Sequence, residues 1–148
     1  MKILKILTAV LIFSTIFGAC EQSEGDGLIL CPTGTCEDQV QVSDDLYENG
    51  PDDEHMISNA FISDDCLDVT FRYGGGCGEV EAHLFASTGE GDSLPPSRFI
   101  RVGFQDDDDC EALLVYTKTF DLTPLRSGAH STVLLQLEGY DEVLEYNY

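Results

Sequence analysis

Apolar and polar side chains alternate along much of the chain, and this period of two predicts β-strands. Between residues 66 and 73 every second position is apolar, and the positions between them are mostly polar. That is the pattern of a half-buried strand. A glycine run, 74–78, follows, and the same alternation resumes over residues 79–87. We therefore expect these two segments to form a β-hairpin.

Six further segments resemble short strands, and no stretch after residue 20 shows a sustained helical period. The connecting segments, including the acidic loop 44–54 and the loop 88–97, are rich in Gly, Pro, Asn and Asp. Short strands separated by loops of this composition are typical of an all-β fold. We therefore expect a single antiparallel, immunoglobulin-like β-sandwich of seven to eight strands over residues 39–148. The further strands are 39–42, 57–62, 98–104, 113–122, 131–137 and 143–148.

The first 19 residues have the organisation of a signal peptide. Lys2 and Lys5 form a basic start, and residues 6–17 form an apolar run. Only 15 uncharged residues separate Lys5 from the end of Cys20, whereas a membrane-spanning helix needs roughly 20. A cleaved secretory signal, residues 1–19, is therefore favoured over a transmembrane anchor.

The end of this leader resembles a bacterial lipobox, in which small residues precede a cysteine that receives diacylglycerol. Phe17, Gly18 and Ala19 stand before Cys20, so we expect Cys20 to be lipidated. The alternative is cleavage after Ala19 with Cys20 left as a plain thiol. Residues 20–38 then form a flexible acidic tether, because their polar composition cannot bury a core.

The acidic run 21–27 resembles the surface-export signal of Bacteroidota lipoproteins. A solvated linker in the periplasm is the alternative reading of the same residues. We expect attachment to the outer membrane through the N-terminal lipid, with the choice between its periplasmic face and the cell surface left open.

The charge of the chain is strongly negative. It contains 7 Lys and Arg against 28 Asp and Glu, for a net charge of −21. Such a field repels phosphate backbones and anionic headgroups, and it excludes nucleic acid as a partner. The field would attract cations or basic partners, although a solvated acidic surface is the more common meaning of such a composition.

Six cysteines in an exported chain suggest disulfides. With Cys20 lipidated, five remain, so one stays free or pairs outside the chain. Cys31 and Cys36 are close enough for a local bridge, and Cys77 and Cys110 follow or precede turns that could share one end of the sandwich. Cys66 is then the leftover buried thiol, with a link between Cys66 and the N-terminal pair as the main alternative.

Catalytic and metal-binding motifs are weak. Four consecutive carboxylates could relieve their repulsion by binding Ca²⁺, namely those of Asp106, Asp107, Asp108 and Asp109. They lack the spacing of a calcium loop, so we expect solvated turns. We expect no cofactor. His83 stands among acidic residues without a nucleophile motif. A Ca²⁺-dependent binding module and, with less support, a hydrolase of the cell envelope remain alternatives.

Residues 64–126 resemble a set of small uncharacterised lipoproteins of Bacteroidota. The resemblance lies in the run from Tyr73 to Cys77 with His83, in the pair Asp109 and Cys110, and in residues 120–125. More loosely, the chain is similar to NigD-like lipoproteins, although it is too short for their N-terminal barrel-like part as well as a sandwich. The resemblance implies a β-sandwich and a Cys77–Cys110 link, and it brings no established activity.

Together these features predict a non-catalytic binding, adhesion or accessory module of the cell envelope, with a protein or glycan partner. A rigid sheet scaffold usually presents ligand contacts on its loops. We expect those contacts at the end of the sandwich that carries loops 74–78 and 106–109.

Overall fold

A computed structural model describes residues 36–107, 110 and 112–148. The predicted signal peptide, Cys20, most of the tether, Cys31, Asp108 and Asp109 lie outside these residues. Within the described part the chain forms nine strands in two sheets that pack face to face. The predicted β-sandwich is confirmed.

Nearly all regular structure in the described part of the chain is β. The strands are β1 Asp38–Gln39, β2 Gln41–Val42, β3 His55–Ser63, β4 Cys66–Gly75, β5 Val80–Ala86, β6 Ser97–Asp106, β7 Ala112–Asp121, β8 Thr132–Leu137 and β9 Val143–Asn147. One short helix, α1 Asp44–Asn49, and a 3₁₀ turn, Thr123–Leu125, are the other regular elements of the described residues. The ninth strand arises because the predicted strand 39–42 divides at the buried Val40, and its two halves join different sheets.

The two sheets are mixed rather than purely antiparallel. One has the order β1-β7-β4-β3 and the other the order β2-β5-β6-β8-β9. The pairs β1–β7, β2–β5 and β6–β8 are parallel, and the other pairs are antiparallel. β6 and β8 can run parallel because the chain between them crosses to the opposite sheet as β7.

The predicted hairpin of residues 66–73 and 79–87 is wrong, although both segments are strands. β4 pairs with β3 and β7, whereas β5 pairs with β2 and β6 in the other sheet. The glycine-containing connection therefore crosses the end of the sandwich. Alternation shows which face of a strand is buried but not which strand lies beside it, since both apolar faces point into the same core.

The core lies between the sheets and consists of the faces that the alternation predicts. β4, β5 and β6 each bury one apolar row, and β7, β8 and β9 add side chains of their own. The largest fully buried side chains are Tyr146, Phe71, Phe104, Phe120, Leu67, Leu84 and Ile100.

The predicted acidic loop 44–54 contains α1. Ser43 caps this helix, since its Oγ accepts a hydrogen bond from the Leu46 N–H at 3.3 Å. Asp44 and Asp45 lie in the first turn, where their negative charges interact favourably with the helix dipole. Six residues make fewer than two helical turns, too few for a helical period to show in the sequence.

Cys36 is bonded to Cys66, so the expected Cys31–Cys36 bridge and the free Cys66 thiol are both wrong. The Cα atoms of Cys36 and Cys66 are 5.5 Å apart, within the range that a disulfide requires. Cys36 stands two residues before β1, and β1 joins the same sheet that contains Cys66. Sheet membership, which loop spacing does not reveal, decides this pairing.

A polar network joins the turn between β3 and β4 to the C-terminal strand. Asp65 Oδ1 accepts hydrogen bonds from the Tyr146 hydroxyl at 2.7 Å and from Arg126 Nη2, and Arg126 Nε donates to the Tyr146 oxygen at 3.0 Å. The hydrogen bond from Tyr146, followed by that from Arg126, lowers the pKa of Asp65 below its usual 3.8. Burial, with a contribution from Asp65, raises the pKa of Tyr146 to about 12, so its hydroxyl remains a donor at neutral pH.

Tyr146→Phe is expected to lower the free energy of unfolding by about 1–2 kcal/mol at pH 7, because it removes the hydroxyl that serves Asp65 and Arg126. The ionised Asp65 stabilises the fold above pH 3.8, and this contribution disappears as the pH falls through its lowered pKa. The difference between wild type and variant should therefore shrink below about pH 4. Urea unfolding at pH 7 and pH 3 measures both values, and a pH-independent difference would contradict the network.

Candidate functional site

The end of the sandwich predicted to carry the contacts contains a groove. It has a volume of about 560 Å³ and lies where β3 begins, β4 and β6 end, and β7 begins. We call it the loop-end groove. Its lining residues are Asp53, Glu54, His55, Met56, Arg72, Tyr73, Gly74, Asp106 and Leu113.

The two turns at this end are joined covalently. Cys77, in the connection from β4 to β5, is bonded to Cys110, just before β7, and their Cα atoms are 5.9 Å apart. The two turns therefore share one end of the sandwich, which is the condition that the sequence left open. A fixed connection here holds the ends of β4 and β6 beside each other at the groove.

A hydrogen-bonded loop forms the acidic wall of the groove. The Asp53 N–H donates to the Phe104 carbonyl at 2.9 Å, and Asp53 Oδ2 accepts the Asp106 N–H at 2.8 Å. Glu54 adds a third carboxylate to the lining. Asp53 is held against β6 by these two hydrogen bonds, so this part of the wall belongs to the scaffold.

Gly75 allows Asp106 to lie close to the end of β4. A Cβ atom at position 75 would stand 2.6 Å from Asp106 Oδ2 and 2.8 Å from the Tyr73 ring. Any side chain there would displace the carboxylate or the ring. The glycine run thus serves close packing beside the groove as well as the turn.

His55 is a groove residue that the sequence did not single out. Its Nδ1 lies 2.8 Å from the Asp53 carbonyl oxygen, which can only accept, so Nδ1 carries the proton. The ring packs against Phe71 and Phe104, with centroids 5.7 and 5.4 Å away. The available signal was the strand alternation, which continues two residues before the predicted start at residue 57.

Exposed apolar side chains border the groove on the outer face of the first sheet. Met56 is 58% exposed and Leu113 is 72% exposed. Arg72 lies between Met56 and Val115 in the strand register, and Val115 is 56% exposed. An arginine within an exposed apolar patch is a common feature of protein-binding surfaces.

The calcium candidates are only partly described. Asp106 lines the groove at the end of β6, and both Asp107 oxygens accept from Gln105 Nε2, at 3.2 and 3.3 Å. Among the described residues there is no group of three side chains suited to hold a metal ion.

His83 lies on the outer face of β5, away from the loop-end groove. Its Nε2 is 3.7 Å from Glu81 Oε2, and its ring stacks on Phe85 with a centroid distance of 6.0 Å. The structure therefore does not bring His83 together with His55 or the groove carboxylates.

The comparisons with known proteins give one structural likeness. A protein of unknown function (DUF1344) from Bacteroides vulgatus ATCC 8482 has a TM-score of 0.49 and 14% sequence identity, over 75% of this chain and 57% of that chain. This chain thus spans little more than half the length of that protein. No protein-family model matches the chain, and no curated protein matches it. In residues 36–107, 110 and 112–148, none of the helices is long and apolar enough to cross a bilayer.

Proposed function

We propose that this protein is an outer-membrane lipoprotein with a non-catalytic β-sandwich that binds a cell-envelope partner at the loop-end groove. The observation that carries this proposal is the position of the groove relative to the start of the described chain. The Cys36–Cys66 bridge fixes that start at the first residue of β4, and Gly74 lines the groove eight residues later. At about 3.3 Å per residue the two points are about 26 Å apart.

This arrangement suits a domain tethered by its N-terminus. A lipid on Cys20 would attach the domain to the membrane through its Cys36 end and leave the loop-end groove free to meet a partner. The resemblance of residues 64–126 to small Bacteroidota lipoproteins supports the anchor, and the resemblance to NigD-like lipoproteins agrees with a sandwich as the presented domain. The exposed side chains around Arg72 supply the apolar and charged contacts that a protein partner would use.

Cys20→Ala is expected to move the protein from the membrane fraction to the soluble fraction. Each acyl chain buries many methylene groups, at about 0.8 kcal/mol per group, so two chains make attachment essentially permanent. Fractionation followed by immunoblotting measures the change. Cys31→Ala is the matched control, and unchanged membrane association of the Cys20 variant would contradict lipidation at this residue.

A photo-crosslinking amino acid at Leu113 is expected to form an adduct with one partner in intact cells, because Leu113 borders the groove and is 72% exposed. The same amino acid at Leu94, which is 84% exposed in the loop after β5, is the matched control and should form no such adduct. Adding Arg72→Ala should abolish the Leu113 adduct. Gel shift and mass spectrometry identify the products.

Three outcomes would count against the proposed site. They are equal adducts at positions 94 and 113, no adduct at position 113, and an adduct that does not depend on Arg72. Each would mean that the loop-end groove is not the binding surface.

A further inference from the structure

A second groove lies on the outer face of the five-stranded sheet, beside α1. It has a volume of about 480 Å³, and it is separate in its lining from the loop-end groove. We call it the acidic groove. Its lining residues are Tyr47, Phe99, Gln136, Leu137, Glu138, Tyr140, Asp141, Glu142 and Val143.

The floor of the acidic groove is apolar and exposed. Phe99 is 51% exposed on β6, and Val143 is 57% exposed at the start of β9. Both pair in register with Gln136 of β8, the strand that lies between β6 and β9, so they flank one position of that strand. The Tyr140 hydroxyl donates to the Ala60 carbonyl at 3.4 Å, which fixes a second aromatic ring at the end of the groove.

The rim of the acidic groove carries a single sign of charge. Glu138, Asp141 and Glu142 line it, and its lining contains no Lys, Arg or His. Burial, and next the charge of Glu138, raises the pKa of Tyr47, whose hydroxyl forms a hydrogen bond with Glu138. The Tyr47 hydroxyl therefore stays protonated at neutral pH and helps to position the Glu138 carboxylate.

Aromatic faces beside carboxylates form a site for an organic cation. The protein uses this chemistry internally, since Arg101 lies 5.3 Å from the Phe85 ring centre and Arg126 lies 5.5 Å from that of Tyr148. An anionic group would be repelled by the rim. An uncharged apolar group would desolvate the carboxylates without compensating them.

We propose that the acidic groove binds a basic peptide segment of a partner protein, with an arginine or lysine side chain over the Phe99 ring and its charge among Glu138, Asp141 and Glu142. The net charge of −21 favours the approach of such a segment. This site does not rest on the function proposed for the loop-end groove, and its test uses no residue of that groove.

The probe is a synthetic peptide of alternating leucine and arginine, blocked at both ends, titrated calorimetrically into the full-length protein in detergent at 150 mM salt. A second peptide with citrulline in place of arginine has the same shape without the charge. The arginine peptide should bind, and the citrulline peptide should bind at least about tenfold more weakly, because it lacks the cation.

Variants locate the binding. Phe99→Ala is expected to weaken it about tenfold through loss of the aromatic face, and Glu138→Gln with Glu142→Gln should weaken it by at least as much. Glu79→Gln with Glu81→Gln, at exposed positions before and within β5, changes the net charge by the same amount and should alter the affinity by less than about twofold.

The proposal is overturned if both double variants weaken binding equally, since the general negative field would then explain it. It is also overturned if the citrulline peptide binds as tightly as the arginine peptide. The proposal is likewise overturned if the arginine peptide shows no measurable binding at 150 mM salt.

Discussion

Arg101→Met is expected to lower the free energy of unfolding by about 3 kcal/mol, because a buried guanidinium holds the end of α1 against the sheet. Arg101 is only 6% exposed, and its three nitrogens donate to four backbone carbonyls. The last carbonyls of a helix lack partners within the helix, and Arg101 donates to those at the end of α1, in addition to the Gly50 N–H that already donates to Leu46. The acceptors are Leu46 at 2.9 Å, Gly50 and Pro51 at 3.0 Å, and Tyr47.

Two further variants separate the hydrogen bonds from the charge. Arg101→Lys keeps the charge but places it at one point, so we expect a loss of about 2 kcal/mol. Arg72→Met removes an exposed arginine, and the change should stay within about 0.5 kcal/mol. Urea unfolding gives all three values, and equal midpoints for wild type and Arg101→Met would show that α1 is held by other contacts.

Arg101→Met should also displace the Tyr47 side of the acidic groove. α1 carries Tyr47, which lines that groove, and Arg101 holds α1 in place. Gly103 leaves room for the Phe85 ring, since a Cβ at position 103 would stand 2.0 Å from that ring. Arg101 lies over the same ring. The helix, the arginine and the ring are therefore one packed layer over the outer face of β5 and β6.

Alternation was sufficient to predict the core-facing row of the three strands within segments 66–73, 79–87 and 98–104. Leu67, Val69 and Phe71 are all fully buried, as the pattern of β4 requires. It did not predict the layer under α1, because Phe85 is buried at 2% exposure on the face that the pattern assigns to solvent. A strand covered on both faces shows no clear alternation, and the helix that covers it is too short to show its own period.

Pairing between strands was the part that local sequence could not predict. A glycine-rich connection can close a hairpin or cross between sheets, and the alternation of the flanking strands is the same in both cases. The same limit explains the cysteines, since the pairing of Cys36 with Cys66 depends on which sheet β1 joins. The pairing of Cys77 with Cys110 is easier to predict, because both cysteines lie in turns at the same end of the sandwich.

The sequence allowed us to predict where the loop-end groove lies but not which side chains line it. The glycine run and the acidic turn marked the end of the sandwich at which this groove lies, and Gly74 and Asp106 line it. His55 and Met56 arrive from β3, which is distant in sequence and pairs with β4. Long-range pairing therefore supplies part of the groove lining, and no local motif indicates it.

Cys77→Ser with Cys110→Ser is expected to lower the free energy of unfolding by about 3–4 kcal/mol, because the bridge closes a loop with a sequence separation of 33 residues. Cys36→Ser with Cys66→Ser is the matched control, since its sequence separation of 30 predicts nearly the same loss at the opposite end of β4. Urea unfolding under non-reducing conditions measures both. Peptide mapping without reduction verifies which bridge remains.

The two double variants should differ at the groove. Loss of the Cys77–Cys110 bridge frees the turns that hold the ends of β4 and β6, so the crosslink from position 113 should fall at a temperature where the variant remains folded. Loss of the Cys36–Cys66 bridge leaves that end intact, and the crosslink should persist. An equal fall in both variants would mean that global stability, and not the local position of the turns, controls binding at the loop-end groove.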